Sequence, residues 1–275
     1  MCWRIPRLPS PSPPRKRSTD PDDYQDVPRP LAAMAKSFTD GHEISLHHHR
    51  RDQLLYAVSG VMRIRTERSA WIVPPDRAVY IPARTAHSVS MRGAVEMRTL
   101  YIAPGSAADL PAAPLAIQVS SLLRALIMAL IEEPLLYDEV GRGGAIAALI
   151  HSEIARADRL SLVVPMPVDS RLGRICLVLL ADPSDTRTLD RWAELAGASP
   201  RTLARRVRAE VGLSFAGWRQ RVRFHNALEA LVRGEPLAAV ASRNGYRSPS
   251  AFSAAFAKAM GASPSSLREP RSQQP

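Results

Sequence analysis

Residues 241–264 read ASRNGYRSPSAFSAAFAKAMGASP, and they repeat the pattern of residues 193–212, AELAGASPRTLARRVRAEVG. Each stretch has a short segment with small residues, a glycine, a serine followed by proline, and then apolar residues four positions apart. Serine is a preferred helix N-cap, and proline is favoured at the first helical position. Each copy therefore predicts two helices joined by a tight turn, the helix-turn-helix arrangement, whose second helix typically enters the major groove of DNA.

In the first copy, the apolar spacing separates a core face from an outward face. Leu203 and Val207 lie four residues apart, so both are expected to face the core. Arg201 and Arg205 then share another face, with Ala204 beside them. Arginine binds guanine or phosphate through two hydrogen bonds, so this face predicts DNA contacts. The other arginines of this helix are expected to meet phosphate or solvent.

In the second copy, Phe252 and Phe256 take the core positions, and Ser250, Ser253 and Ala254 point outward. These outward side chains are short and uncharged, so we expect fewer base contacts here and more reliance on fit and backbone contacts. Candidate phosphate contacts of this copy are Arg247 and Lys258.

A connecting segment, residues 215–233, has apolar positions that predict one long helix. A rigid connector would hold the two second helices at a fixed separation. Two helices in successive major grooves on one face of DNA must sit about one turn, ~34 Å, apart.

The charge of the chain is unevenly placed. The 275 residues carry a net charge of +11, and residues 171–275 hold 17 basic against 8 acidic side chains. This asymmetry indicates a polyanionic partner for the C-terminal part. Two cysteines exclude a disulfide framework and a four-cysteine zinc site. Apolar stretches shorter than the ~20 residues of a membrane span, and the absence of a signal peptide, predict no membrane partner and a cytoplasmic location.

Composition and periodicity predict an α+β protein in several parts. An antiparallel β-sandwich or barrel with two following helices should precede an all-α domain with two helix-turn-helix motifs joined by a long helix. Residues 47–66 and 71–89 resemble the sensor domains of cupin type, and this resemblance implies a cupin-like β-barrel for the first part. The helical segment is expected either to pack on its own sheet, the favoured interpretation, or to form a homodimer seam. The predicted parts are a disordered basic tail (1–30), the sensor barrel (31–110), a helical segment (111–160), a linker (161–169), the all-α domain (170–268) and a tail (269–275).

Further matches extend the repeat. They are Leu189-x-x-Trp192-Ala193, Ser199-Pro200-Arg201-Thr202-Leu203, Gly212-Leu213-Ser214-Phe215, Trp218-Arg219, and Gly245-Tyr246-Arg247-Ser248-Pro249-Ser250-Ala251-Phe252 with Phe256, Gly261, Ser263 and Pro264. Over about a hundred residues the chain resembles AraC/XylS-type transcription regulators. The resemblance implies a bipartite domain that binds double-stranded DNA and contacts RNA polymerase. The expected DNA-binding positions are Arg201, Thr202, Ala204, Arg205, Arg208, Arg247, Ser248, Ser250, Ser253 and Ala254.

Histidines mark the predicted barrel. The spacing Gly41-x5-His47-x-His49-x3-Gln53-x6-Gly60, followed by Pro82-x4-His87, resembles the two metal-binding motifs of cupins, with Gln53 where metal-binding cupins usually carry glutamate. Three interpretations follow: a pocket for an organic effector, a divalent transition metal site, or structural histidines. The expected pocket residues are His47, His49, Gln53, Tyr56, Tyr80 and His87, and the expected metal ligands are His47, His49, Gln53 and His87.

Three functions compete. The first is a one-component transcription regulator, without enzymatic activity, in which a small-molecule effector in the barrel shifts the placement of domains or protomers. The second is a cupin metal-dependent dioxygenase or isomerase with a DNA-binding appendage. The third is a structural protein that binds DNA without sequence preference, against which the tandem motifs and separate sensor argue. No other enzyme class has a supporting motif.

Overall fold

The computed structural model describes residues 17–106, 110–160, 163–182, 185–260 and 263–267. Within them, eleven strands and eight α-helices follow one another. The strands are β1 (Leu31–Phe38), β2 (Glu43–His47), β3 (Asp52–Ala57), β4 (Val61–Thr66), β5 (Ser69–Val73), β6 (Arg77–Ile81), β7 (His87–Arg92), β8 (Val95–Ile102), β9 (Leu115–Gln118), β10 (Arg159–Leu160) and β11 (Val163–Pro165). The helices are α1 (Ser121–Glu132), α2 (Arg142–Arg156), α3 (Ser170–Ala181), α4 (Leu189–Leu195), α5 (Pro200–Val211), α6 (Phe215–Val232), α7 (Leu237–Arg243) and α8 (Pro249–Met260).

The strands form two antiparallel sheets. The first has the order β1-β8-β3-β6-β9-β10, and the second has the order β11-β5-β4-β7-β2. Alternate residues of each strand point to opposite faces, so one set fills the space between the sheets and the other meets helices or solvent. The predicted α+β architecture, an antiparallel β domain before an all-α part, is confirmed.

Helices α1 and α2 cover the outer face of the first sheet. Their apolar stripe, which includes Leu123, Leu130 and Ile150, is buried in one cluster with outward residues of β3 and β6. Ser120 caps α1 by accepting a hydrogen bond from the Leu123 amide at 3.0 Å. The stripe therefore packs on its own sheet, as the favoured interpretation held.

Three short segments differ from the prediction. Residues 115–118 and 159–160 were expected within the helical part but form β9 and β10 of the first sheet. Residues 163–165 were expected in the linker but pair with β5 as β11. These segments extend the two sheets at one edge each and supply free backbone groups with hydrogen-bond partners.

The predicted tail over residues 1–30 is wrong for its described part, residues 17–30. A short 3₁₀ helix, Pro21–Tyr24, packs against the barrel, and the Tyr24 ring stacks on Tyr101 with centroids 5.7 Å apart. Buried Arg51 donates hydrogen bonds to the carbonyls of Gln25 (3.1 Å), Val27 and Arg29 (3.0 Å). One arginine on the barrel thus compensates for the low apolar content that predicted disorder. Residues 1–16 and the predicted tail at 269–275 lie outside the described residues.

Helix α6 is the predicted long connector. Its first half packs with α5 around Trp218 and Val222, and its second half packs with α8 around Phe224. Among the described residues, no helix has the length and apolar character needed to cross a bilayer.

Replacing Arg51 by methionine should destabilise the fold. The variant keeps a long apolar stem but leaves buried carbonyls without donors, and each such group costs about 1–3 kcal/mol. We expect the free energy of unfolding, measured by urea denaturation, to fall by about 3 kcal/mol.

Arg50→Met is the matched control. Arg50 pairs with Asp26 at 2.6 Å, and both side chains are mostly exposed, so its loss should cost less than about 1 kcal/mol. Equal losses in the two variants would contradict the role assigned to Arg51.

Candidate nucleic-acid interface and histidine cavity

Helix α5 presents two arginines on an exposed face. The Ser199 hydroxyl caps the helix by accepting a hydrogen bond from the Thr202 amide at 3.2 Å. Gly197 has φ +60° in the preceding turn, a conformation that favours glycine. Arg201 and Arg205 are exposed, while Leu203 is buried against the core. The predicted division of faces is confirmed by these exposures.

The remaining α5 side chains separate into two groups. Arg208 is exposed, and Ala204 and Thr202 are partly exposed. The Thr202 hydroxyl accepts a hydrogen bond from Ser199 Oγ at 2.9 Å, so it reinforces the helix start. Arg206 is also exposed, but its ion pair with Asp169 distinguishes it from Arg201, Arg205 and Arg208. Within the described part of the chain, Arg201, Arg205 and Arg208 have no carboxylate at ion-pair distance and keep their donors available for phosphate or bases.

Helix α8 presents a short-chain polar face. Ser248 caps it by accepting from the Ala251 amide at 3.2 Å, and Gly245 in the turn has φ +78°. Ser250 and Ala254 are exposed. The Ser253 hydroxyl donates to the Pro249 carbonyl at 2.8 Å, so its hydrogen is used within the helix. Arg247, in the turn before the helix, is exposed.

A cavity of about 460 Å³ opens between the two sheets near the histidines. Its wall includes the ends of β2, β3 and β7, together with Asp20 and Asp22 from the N-terminal segment. The structure brings four of the six predicted pocket residues to this wall: His47, His49, Gln53 and His87. A volume of several hundred Å³ suits a small organic molecule.

Three imidazoles meet at this cavity. The nearest ligand atoms of His47, His49 and His87 all lie within 4.8 Å of one another. His47 and His87 are directly opposite each other on paired strands, with ring centroids 4.3 Å apart. The arrangement places the three residues as the sequence spacing predicted.

Hydrogen bonds fix the tautomers of two of these rings. His47 Nδ1 lies 2.7 Å from the Ser45 carbonyl, and His87 Nδ1 lies 3.0 Å from the Thr85 carbonyl. A carbonyl only accepts, so Nδ1 carries the hydrogen and Nε2 of each neutral ring keeps its lone pair. Within the described residues, the buried Nε2 atoms of His49 and His87 have no hydrogen-bond partner.

Burial, with a smaller contribution from the neighbouring imidazoles, lowers the pKa of His49 and of His87 to about 4, although the hydrogen bond to the Thr85 carbonyl raises that of His87 in part. At neutral pH the rings are therefore uncharged and can accept a hydrogen bond or bind a metal. Gln53, also buried, keeps its Oε1 atom without a partner in the described structure. The cavity thus gathers neutral acceptors that lack partners, and buried polar atoms of this kind favour a bound ligand.

Tyr56 and Tyr80 do not line this cavity, and their prediction as pocket residues is wrong. Both belong to the apolar cluster between the first sheet and helices α1 and α2, and Arg124 donates to the Tyr56 hydroxyl at 2.6 Å. The reason is the pleat of the strand: Gln53 faces the cavity, so Tyr56, three residues on, faces the other way.

Tyr101 is a cavity residue that the sequence prediction missed. It pairs with Gln53 across β3 and β8, and the Gln53 side chain hydrogen-bonds the Tyr101 hydroxyl. Its ring meets His49 edge to face, with centroids 5.2 Å apart. No local motif marks this residue, because only the register between the two strands brings it to the histidines.

Acid should destabilise the metal-free protein through these histidines. Below pH ~6.5 the unfolded chain binds a proton at His49, whereas the folded chain does so only near pH 4. As the pH is lowered from about 6.5 to about 4, the free energy of unfolding should therefore fall, by up to about 3 kcal/mol for this residue.

The measurement is urea unfolding in EDTA at several pH values. His49→Gln should flatten the pH dependence, and the same change at exposed His48 should leave it as in the wild type. Equal slopes for both variants would refute the assignment.

Comparisons with known proteins match both the β domain and the all-α part of the chain. Residues 192–270 match the family model of a helix-turn-helix domain, and residues 37–103 match that of a cupin domain. The HTH-type transcriptional regulator NimR of Escherichia coli is 29% identical over 89% of each chain. The HTH-type transcriptional regulator RipA of Corynebacterium glutamicum is 32% identical over 38% of this chain and 31% of its own. Among solved structures, the match to ToxT from Vibrio cholerae covers 86% of this chain and 97% of the ToxT chain, with 10% sequence identity and a TM-score of 0.36.

The two matched domains follow one another in the order that the sequence predicted. The chain is a helix-turn-helix transcription regulator with a cupin domain at its N-terminal side, and it is similar to AraC-type regulators.

Proposed function

We propose that α5 and α8 read two successive major-groove segments on one face of double-stranded DNA. The observation that carries this proposal is the pair of equivalent capped helices, each with its apolar side on α6 and its opposite face exposed. A single rigid helix between them limits their relative movement. Successive major grooves on one face of DNA lie about one turn, ~34 Å, apart, so the proposal requires the connector to hold the two helices at about this separation.

The two helices differ in what they offer to DNA. Arg201 and Arg205 of α5 can form paired hydrogen bonds with guanine, so this half carries most of the base recognition. Ser250 and Ala254 of α8 lack charge and length, so this half depends on shape and backbone contacts, with Arg247 and Lys258 at phosphates. The proposed operator therefore has one half with strict base requirements and one half that tolerates substitutions.

The histidine cavity is the proposed effector site. Its neutral acceptors and its wall of strand residues fit a small organic molecule that carries hydrogen-bond donors. The same residues also fit a divalent transition metal. His47, His49 and His87 would bind the metal through their ring nitrogens, with Gln53 as a weak fourth ligand. A bound metal would supply Lewis acidity that attracts an anionic group of the effector.

Other partners follow from the family resemblance. RNA polymerase, a second copy of the chain and a cytoplasmic location remain predictions. We propose a regulator rather than an enzyme, because the two halves match a sensor domain and a helix-turn-helix domain. The enzyme alternative requires a bound metal together with turnover.

Replacing Arg205 by alanine should weaken specific DNA binding. Loss of a base-edge contact costs about 1–3 kcal/mol, which is roughly 5- to 150-fold in Kd. The measurement is fluorescence anisotropy with a duplex that the wild-type protein selects from a random library, against unselected DNA. Arg206→Ala is the matched control, because Arg206 is paired with Asp169. If Arg205→Ala keeps wild-type specificity, Arg205 does not read a base.

Titration with Ni²⁺ should reveal one binding site per chain by calorimetry. His87→Gln removes a buried ligand and should abolish this binding, whereas the change at exposed His48 should not. Absence of binding by the wild type would contradict the metal proposal. Oxygen uptake by the metal-loaded wild type would support the enzyme alternative.

A further inference from the structure

Glu229, near the C-terminal end of α6, is a buried carboxylate with only 4% of its surface exposed. Arg63 of β4 donates to its Oε2 atom through Nε at 2.8 Å and through a second guanidinium nitrogen. Arg233 lies 3.1 Å from Oε1, and the Nε of Arg92 on β7 lies 4.0 Å from the same atom. Three guanidinium groups therefore surround one carboxylate.

These charges belong to different parts of the chain. Arg63 and Arg92 come from the barrel, whereas Glu229 and Arg233 come from the helical part. A buried carboxylate that loses its partners is strongly disfavoured, so a shift of α6 along the barrel would leave this group unpaired. The planar guanidinium of Arg63 also restricts the orientation of α6 on the barrel, because it contacts Glu229 through two nitrogens.

Further contacts align α6 with the edge of the second sheet. Trp218 Nε1 donates to the Pro165 carbonyl at 3.0 Å, and Arg221 donates to the Val163 carbonyl at 3.3 Å. Both acceptors lie on β11, toward the other end of α6 from Glu229. The helix is thus held on the barrel at two separated points.

The barrel side of this contact is the outer surface of the cavity wall. His87 and Val89 of β7 line the cavity, and Arg92, an odd number of residues away, faces outward. Arg63 pairs in register with Ser90 of the same strand. The cavity and the ion pairs therefore lie on opposite faces of β7.

Both reading helices depend on α6 for their position. Phe224 of α6 packs edge to face on Phe252 and Phe256 of α8, with centroids 5.6 and 5.3 Å apart. Trp218 and Val222 pack with Leu203 and Val207 of α5. In this arrangement Arg201, Arg205, Ser250 and Ala254 stay exposed, so the barrel does not cover them.

We propose that Glu229, Arg63, Arg92 and Arg233 form an interdomain latch, and that its members are positioning residues for DNA binding. The latch fixes α6 on the cavity wall and keeps both reading helices in one orientation. This inference rests on the proposed reading of DNA by α5 and α8. Loosening the latch adds alternative orientations, and the share of molecules ready to bind falls.

The experiment uses Arg63→Met in the full chain. Arg63 is 31% exposed in its side chain, so methionine removes the charge without opening a large cavity. The selected duplex should bind at least about 5-fold more weakly, within the usual range of coupling between sites. The dependence of Kd on salt should keep its slope, because the phosphate contacts lie elsewhere. Arg63→Lys, which retains the charge, should recover part of the affinity.

Arg65→Met is the matched control, because Arg65 is on the same face of β4 and is exposed. A second measurement does not need DNA. It uses energy transfer between two dyes to measure the distance between Glu67→Cys and Ala239→Cys in a protein that also carries Cys2→Ser. Both labelled positions are exposed, one on the barrel and one on α7, and Cys176 is buried. Arg63→Met should broaden the distance distribution, and Arg65→Met should not.

The outcomes separate the two proposals. A wild-type protein without specific DNA binding would overturn the proposed function, and an unchanged dye distance in Arg63→Met would overturn the latch. A broadened distance with unchanged Kd would overturn the positioning role in DNA binding. Weaker binding together with a broadened distance, partly restored by Arg63→Lys, supports the latch.

Discussion

The burial of α6 between the barrel and the reading helices is the constraint on which the rest of the structure depends. One side of this helix carries the aromatic and aliphatic residues that position α5 and α8, and another meets the second sheet. In a helix buried to this extent, an unpaired charged group carries a high energetic cost. Glu229 is the most demanding of these groups, because a carboxylate at 4% exposure needs charged partners from outside its own helix.

The cavity differs from this contact, because its buried polar groups are neutral and, among the described residues, several lack partners. Neutral imidazoles and an amide oxygen converge there with lone pairs that the described residues leave without partners. Burial keeps His49 and His87 uncharged at neutral pH, so the cavity wall can be crowded with histidines without charge repulsion. Such a wall suits a ligand that brings its own donors or its own positive charge. The N-terminal segment, which Arg51 holds on the barrel, contributes two aspartates at the same cavity.

The wrong predictions have separate physical causes. Tyr56 and Tyr80 were predicted as pocket residues, although strand alternation from Gln53 already turns Tyr56 outward. The tail prediction for residues 17–30 relied on low apolar content, and several hydrogen bonds from one buried arginine order that segment instead. Strands β9, β10 and β11 were assigned to helix or linker because their runs are too short for a clear period.

The sequence by itself determined the local units: two capped turn-and-helix repeats, the faces of α5 and α8, a long connector, and a histidine motif on antiparallel strands. Each of these depends on neighbours within a few residues, where periodicity, caps and turn glycines act directly. Only the tertiary structure decided that Arg63 meets Glu229, 166 residues away, and that Tyr101 joins the histidines. Those contacts follow from strand register and from how a helix docks on a sheet, and neither leaves a signal in the local sequence.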